Sequence, residues 1–499
     1  MKQVIAICLS ALCLQVSAQN QEDILRYSNR GMVGSARTMG LSGAFGAVGA
    51  DLSSASINPA GLGLYRNNQF LLSTAITSTL TDASYTGNTM NDSRTNFNIP
   101  NIGIALNSTS YHLGKPRTSG IISGTFVMGL NRLNDFGLNS QYSGNVRNAT
   151  VGDYLAGQAN GINFNFFNES SFDNSLAAQA WRVALIDSVP GSNNYISIQN
   201  LLGDTAYSVS QFQQIKNRGR MQEWYFGGGV NVSNFLYLGA TMVIQQASYT
   251  SDLIYRETLK ESSIQNNPYS SVSINQNLES TGSGVGGKFG FILRPATFLR
   301  VGGAYHTPVR LSMTDNYQNS LSMRYSNGAV FNAPDQLRKD FYEYQIVTPG
   351  RWLANAAIIV GKSFLFTADY ERIDYKNGRL QATNDMADFI VANSNNKLLH
   401  DVAEIYRTGI EFGYDYLRVR AGYAHIGSPF NAQYISKENG KKQLISGGLG
   451  WVYDNSIFFD FAVSSLIGTD FHVPFGGNPA TASINTNRLN FMFGAGIKF

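Results

Sequence analysis

From residue 68 onward the chain alternates apolar residues with polar or small ones in segment after segment. Arg488 to Phe499 shows it best: Leu489, Phe491, Phe493, Ala495, Ile497 and Phe499 share one face, opposite Arg488, Asn490, Met492, Gly494, Gly496 and Lys498. In 416–425, Leu417, Val419, Ala421 and Tyr423 oppose Arg418, Arg420 and Gly422; in 364–371, Phe364, Phe366, Ala368 and Tyr370 oppose Thr367, Asp369 and Glu371. Period two is the signature of a strand with two unlike faces. It predicts fourteen strands, near 68–80, 97–111, 118–131, 218–232, 236–251, 280–294, 297–313, 345–360, 364–375, 403–413, 416–426, 442–453, 456–466 and 487–499.

The connections alternate in length. Short ones fall at Gly114-Lys115-Pro116, Ser233-Asn234, Pro295-Ala296, Lys362, Asp415 and Asp454-Asn455. Long ones cover 81–96, 132–217, 252–279, 314–344, 376–402, 427–441 and 467–486. An even strand number with short turns on one side and long loops on the other fits a transmembrane antiparallel up-and-down β-barrel, with the long loops outside. The 132–217 loop is too long to be structureless. Leu176, Ala177, Ala180, Trp181, Ala184 and Leu185 recur there at helical spacing, and a second helix is expected over Met386 to Leu399. The apolar faces of these helices either fold the loops onto the rim or form a greasy groove.

Composition narrows the class. Of 499 residues only 14% are charged, whereas 43% are hydrophobic and 12% aromatic, with 50 glycines. Beyond the first twenty residues no apolar run approaches the ~20 residues of a membrane-spanning helix. A net charge of +4, with Lys441-Lys442 as the longest basic run, gives no footprint for nucleic acid. Residues 1–18 read as a secretory signal, with Lys2, an apolar stretch from Val4 to Leu14, and Val16-Ser17-Ala18. Cys8 and Cys13 both lie inside it, so the mature chain is expected to have no thiol. Export without disulfides, together with this patterning, points to the outer membrane of a Gram-negative bacterium.

Candidate chemistry is sparse. His112, His306, His400, His425 and His472 are scattered, with no nucleophile motif or metal-ligand spacing around them. A lone His400 or His472 is weak ground for haem capture. No enzyme, cofactor or metal is expected. The ionisable residues that alternate away from the apolar faces say more: Lys288, Arg300, Asp369, Glu371, Arg407, Glu411, Arg418, Arg420, Asp460, Arg488 and Lys498. On the lipid face an Arg or Lys costs about 2–4 kcal/mol at the midplane, so these groups belong in the lumen. Their mixed sign suggests salt-bridged packing, with Asp369, Glu371, Arg407, Glu411, Arg418 and Arg420 as its centre. Binding of a substrate carboxylate is the second reading.

Residues 19–66 do not alternate. Gly40, Gly43, Gly46 and Gly49, with Ala44, Ala47 and Ala50, lead into Ser56-Ile57-Asn58-Pro59-Ala60-Gly61-Leu62. Small residues let backbone pack closely against a wall, and Asn-Pro favours a turn. The segment is therefore a candidate plug for a barrel spanning 67–499, with Asn58, Pro59 and Ala60 at its gating turn.

Gly40-Leu-Ser-Gly-Ala-Phe-Gly-Ala-Val-Gly-Ala-Asp51 with the Asn58-Pro59-Ala60 box resembles the N-terminal hatch of the FadL/TodX-type outer-membrane transporters. Thr348-Pro349-Gly350-Arg351-Trp352, Ala368-Asp369-Tyr370-Glu371, Tyr406-Arg407-Thr408-Gly409-Ile410-Glu411 and Leu417-Arg418-Val419-Arg420-Ala421-Gly422-Tyr423 extend the likeness. The resemblance implies a fourteen-stranded barrel with a hatch, a fatty-acid or aromatic ligand taken up passively, and an interruption in an early strand for sideways release. Gly124, between Ile122 and Phe126 on the third strand, is the candidate place for it; the other reading is that it merely makes room for aromatic neighbours. The family also includes proteins that handle secreted or surface proteins, the alternative role. Expected partners are a hydrophobic small molecule, outer-membrane lipid, and the barrel-assembly machinery through the terminal Phe499.

Overall fold

The computed structural model describes residues 21–499 except 32, 335, 336, 338, 362, 384–388 and 455. The leader at 1–18 lies outside the described residues. Fourteen antiparallel strands close into one barrel. They are β1 (Gln69–Tyr85), β2 (Asn88–Thr109), β3 (Ile121–Asp135, continued by Leu138–Arg147), β4 (Ser208–Val232), β5 (Leu236–Glu261), β6 (Tyr269–Ala296) and β7 (Leu299–His306, continued by Arg310–Tyr325). Then follow β8 (Asp340–Val347, continued by Arg351–Val360), β9 (Phe364–Asp374, continued by Arg379–Ala382), β10 (Val402–Tyr414), β11 (Leu417–Ile426), β12 (Lys442–Tyr453), β13 (Ile457–His472) and β14 (Ala482–Lys498). Each pairs with the next, and β14 pairs with β1 from Lys498↔Gln69 to Ser483↔Ser84, closing the wall. Closure leaves no sheet edge to be satisfied in lipid.

Near the short turns the outward faces are apolar and end in rings. Phe235, Phe298, Tyr414, Tyr416, Tyr453 and Phe499 mark one rim, and Trp224, Trp352 and Tyr406 the other, all exposed. These are the aromatic girdles of a lipid-facing band. The inward faces of the same strands carry the ionisable set.

Several expected loops are strand instead. Residues 81–96 continue the β1–β2 hairpin to a tight turn at Thr86-Gly87, where φ is 45° and 88°. Two left-handed residues make the turn whose twist matches the flanking strands. Most of 252–279 and 314–344 is likewise wall. Alternation fades there because the outward face becomes polar above the membrane while the inward face keeps buried Tyr85, Tyr142, Tyr249, Tyr255 and Tyr269.

The long loop shrinks to the segment between Arg147 and Ser208 and shares a core with the outer wall. The barrel lumen holds two further helices, α1 (Gln21–Ser28) and α2 (Ala36–Gly40), and the loop adds α3 (Val151–Ala159) and α4 (Leu176–Arg182). Leu176, Ala177 and Ala180 are buried with Leu155, Phe167 and Leu185 against Tyr269, Leu321 and Met323 of the outer wall. The apolar face thus fixes the loop to the rim rather than lining a groove. Glu257 ties the two together: it accepts from Thr150, from the Val151 N–H at 3.1 Å and from the Tyr255 and Tyr269 hydroxyls at 2.7 and 3.0 Å. Burial pushes its carboxyl above the ordinary value. The second expected helix is α5 (Ile390–Leu399); Met386 lies outside the described residues.

Orientation is testable in a chain whose cysteines all precede residue 14. Ser192 and Asp415 are exposed at opposite ends of the barrel. A membrane-impermeant maleimide should label Ser192→Cys and leave Asp415→Cys unlabelled on intact cells; the opposite pattern inverts the topology.

Candidate functional site

The N-terminal segment lies inside the barrel, and its turns are capped one by one. Ser35 caps α2 through the Thr38 N–H. Asp51 caps Leu52–Ala55, accepting from the Ser53 N–H at 2.8 Å and the Ser35 hydroxyl at 2.9 Å. Asn58 caps Pro59–Leu64, accepting from the Ala60 N–H at 3.1 Å, with Pro59 at the first turn where its missing N–H costs nothing. The Asn58 amide also donates to the Phe291 carbonyl at 3.3 Å and to Asn355 Oδ1 at 3.2 Å, fixing the turn to two wall strands.

Wall glycines receive this segment. A Cβ on Gly239 would sit 2.1 Å from the Pro59 carbonyl oxygen, and one on Gly422 2.3 Å from the Leu41 carbonyl carbon. Only a residue without a side chain lets the two backbones approach so closely. The hatch glycines are plain in the sequence, whereas their matching wall glycines are scattered over distant strands. The signal was available: single glycines interrupting otherwise alternating strands mark close backbone approach.

The ionisable residues form separate knots between hatch and wall. Glu411 accepts both a fork from Arg37 on α2, at 3.1 and 3.1 Å, and Arg420 Nε at 2.6 Å; Arg420 also reaches Asp460 at 2.5 Å. Glu371 holds Arg351 at 2.7 Å and Arg407 at 2.8 Å, and Arg351 also donates to the Ser28 carbonyl at the end of α1. Asp369 accepts the Phe45 and Gly46 N–H groups at 2.8 and 2.9 Å. Lys288 pairs with Glu223, which also takes the Ser56 hydroxyl. Arg418 stands apart, donating to the Asp415 and Leu417 carbonyls of the short turn at 2.7 and 2.8 Å. The six residues singled out by alternation therefore do not make one network: five divide among three hatch contacts and Arg418 caps a turn.

Two cavities lie on opposite sides of the hatch. The smaller, about 240 Å³, lies at the short-turn end among Arg37, Val48, Leu64, Arg300, Phe364 and Arg418. The larger, about 1890 Å³, lies above α2 and is walled by α1, the outer halves of the strands and the 427–441 and 473–481 loops. Leu25, Phe136, Leu138, Ile405, Phe430 and Leu444 give it apolar walls, with Arg132, Arg407 and Arg488 interspersed. His400 and His472 reach its rim. Each has a partner, Asn396 Oδ1 at 2.9 Å and the Tyr142 hydroxyl at 2.8 Å, and burial holds both imidazoles down at about 4, hence neutral.

The wall beside this cavity is interrupted. Pairing of β2 with β3 stops at Asn101↔Asn131. Just beyond, β2 is bulged against β1 and β3 is bulged against β4 between Arg132 and Asn134. Pro100 stands at the break with no N–H to donate. Side chains bridge the space: Asn96 to Asp135 at 2.8 Å, Asn139 to the Ser93 carbonyl at 3.2 Å and Gln141 to the Asn91 carbonyl at 3.3 Å. Arg488 caps the freed Asp135 and Gly137 carbonyls at 3.0 and 3.3 Å. The Gly31 N–H donates to the Leu133 carbonyl at 2.8 Å, so the N-terminal segment grips the bulge itself. Asn98, Pro100, Arg132, Asn134, Asp135, Phe136 and Leu138 all border the large cavity.

The expected position of this interruption was Gly124, and there the wall is continuous. Gly124 pairs with Ser108 on one side and Val230 on the other. A bulge between Ile121 and Ser123 also turns Ile122 inward, so it is buried rather than lipid-facing. The break lies higher on the same strand, at a Leu133 bulge that no glycine announces.

Loss of the Asn58 cap gives a measurable effect. Asn58→Ala should weaken the hatch turn by about 1 kcal/mol. It also strips Asn355 of a partner, and the variant should insert normally but show transient channel openings in planar bilayers. Silent, closed behaviour like that of the intact chain would restrict Asn58 to a local turn role.

No protein-family model matches the chain, and no curated protein does. Its fold does match solved structures along nearly the whole length. A FadL homologue from Pseudomonas aeruginosa superposes with a TM-score of 0.56 at 11% identity, over 95% of this chain and 100% of that one. The toluene transporter TodX of Pseudomonas putida gives 0.51 at 13%, and the toluene transporter TbuX of Ralstonia pickettii 0.51 at 15%, each over 95% of this chain and 100% of the other. The chain has the FadL-type barrel fold.

Proposed function

We propose that this protein is an outer-membrane channel for passive uptake of hydrophobic small molecules, fatty acids or aromatic compounds, gated by its N-terminal hatch. One observation carries the reading: an apolar-walled cavity of about 1890 Å³, closed below by the hatch, borders an interruption in the barrel wall. A greasy ligand enters from the loop side and settles above α2. Shifting of residues 29–31 frees the β3 bulge, and the ligand leaves sideways into the bilayer. Sideways exit keeps apolar surface out of water. For a ligand of ~200 Å² that saves about 5 kcal/mol at ~25 cal/mol per Å².

The test is uptake of a panel of labelled fatty acids and aromatic hydrocarbons by a deletion strain with and without the gene, alongside extraction of the purified barrel for copurifying lipid. Gene-dependent uptake of one class, with that class in the extract, supports the proposal. Uptake unchanged across the panel with a stoichiometric protein copurifying would replace it by the alternative role in handling secreted or surface proteins. The large outer loop packed on the barrel rim is the feature that favours that second role.

A further inference from the structure

The outward surface of β3 to β6 changes character along a single line. Leu130, Trp224, Ile244 and Val285 are cross-strand neighbours and mark the last apolar row. Below it lie Phe226, Met128, Met242 and Phe289. The rows above are polar: Gln222 beside Gln246, then Arg220 beside Ser248, Arg218 beside Thr250, and Lys216 beside Asp252. Trp224, Arg220, Arg218 and Lys216 are all exposed on one face of β4. Alternate residues on a strand stand ~7 Å apart. Three like charges at that spacing repel unless something neutralises them.

The protein itself neutralises one. Arg218 is bound to Asp252, and the nearby Glu279 is taken by Lys339 at 3.1 Å. Lys216 and Arg220 have no ion pair among the described residues.

We propose that this face of β4 binds the phosphorylated head group of an outer-leaflet lipid. Acyl chains of such a lipid lie on Met242, Phe226 and Phe289, the tryptophan marks the interface, and its two phosphates come to the separate heights of Arg220 and Lys216, ~14 Å apart along the strand. A guanidinium presents a fork that matches phosphate oxygens, and an ammonium adds a second charge. Continuity of the cation row with the lipid-facing band makes a membrane lipid the occupant rather than a soluble anion. The site is on the outside of the wall, with Arg220 opposite Asp135 at the edge of the wall interruption.

The probe is a glycolipid of lipid A type in diphosphoryl and dephosphorylated forms, offered to the full-length barrel in detergent micelles and read by native mass spectrometry. The intact protein should retain the diphosphoryl form at least about tenfold better. K216Q/R220Q should lose that preference, each cation being worth roughly fivefold near an anionic surface. The charge-matched R147Q/R324Q, at exposed positions on the far outer ends of β3 and β7, should keep it. Heat-modifiable gel mobility reports that each barrel is folded. Equal retention of both lipid forms by the intact protein overturns the proposal. So do an unchanged preference in K216Q/R220Q, an equal loss in R147Q/R324Q, and displacement of the lipid by inorganic pyrophosphate, which would mean a soluble-anion site.

Discussion

Deleting residues 19–64 should leave a barrel that inserts and conducts, with single-channel conductance roughly tenfold or more above the intact chain. A wall of this strand number approaches the size at which barrels enclose an aqueous channel. Folding should survive because the main buried charges are paired within the wall: Lys288 with Glu223, Arg351 and Arg407 with Glu371, and Arg420 with Glu411 and Asp460. Water entering the lumen would solvate Asp369, whose partners Phe45 and Gly46 leave with the hatch. Planar-bilayer recording checks this. Conductance equal to that of the intact protein would show that the seal between the two cavities lies elsewhere.

Closing the wall interruption should stop uptake. Asn96 and Asp135 face each other across it at 2.8 Å, and no cysteine occurs beyond Cys13. N96C/D135C, oxidised in the membrane, should take up ligand at least about tenfold more slowly, a barrier increase of ~1.4 kcal/mol. Reduction should restore the rate, and equilibrium ligand binding should be the same in the oxidised and reduced forms, because both carry the same change at Asp135 on the cavity wall. Ser84 and Thr89, in contact at 2.9 Å near the outer tip of the adjoining hairpin, provide a matched control pair. Full-speed uptake by the oxidised N96C/D135C protein would exclude the gap as the exit.

The sequence made the wall legible where physics gives the two faces different solvents. Phe491, Phe493 and Ile497 face lipid while Met492 and Gly494 meet the hatch and Gly496 the inward ring of Phe458, so their alternation is sharp. Between Asn88 and Asn96 both faces meet polar surroundings, the contrast vanishes, and strand read as loop. The inward charges were legible for the same reason, since lipid excludes them. Which charge meets which was not. Arg37 and Glu411 lie 374 positions apart, and nothing local in either predicts the other. Glycine does not mark the wall break, which lies at the Arg132/Asn134 bulge rather than at Gly124. The structure makes it from a proline without an N–H, an extra residue at Leu133 and side-chain bridges, each ordinary when met alone.

The wall glycines couple two parts of the chain that must change together. Gly239 is cut to the carbonyl of Pro59, Gly422 to Leu41, and Gly448 lies within 3.2 Å of Gly40 at its Cβ position. A hatch taken from another barrel of this fold would bring its own bulges to walls carved for different ones. Such chimeras should insert and leak. Compensating pairs, a side chain added on the hatch and one removed from the wall, should reseal them. Grafting a hatch therefore has to move the wall glycines that receive it as well.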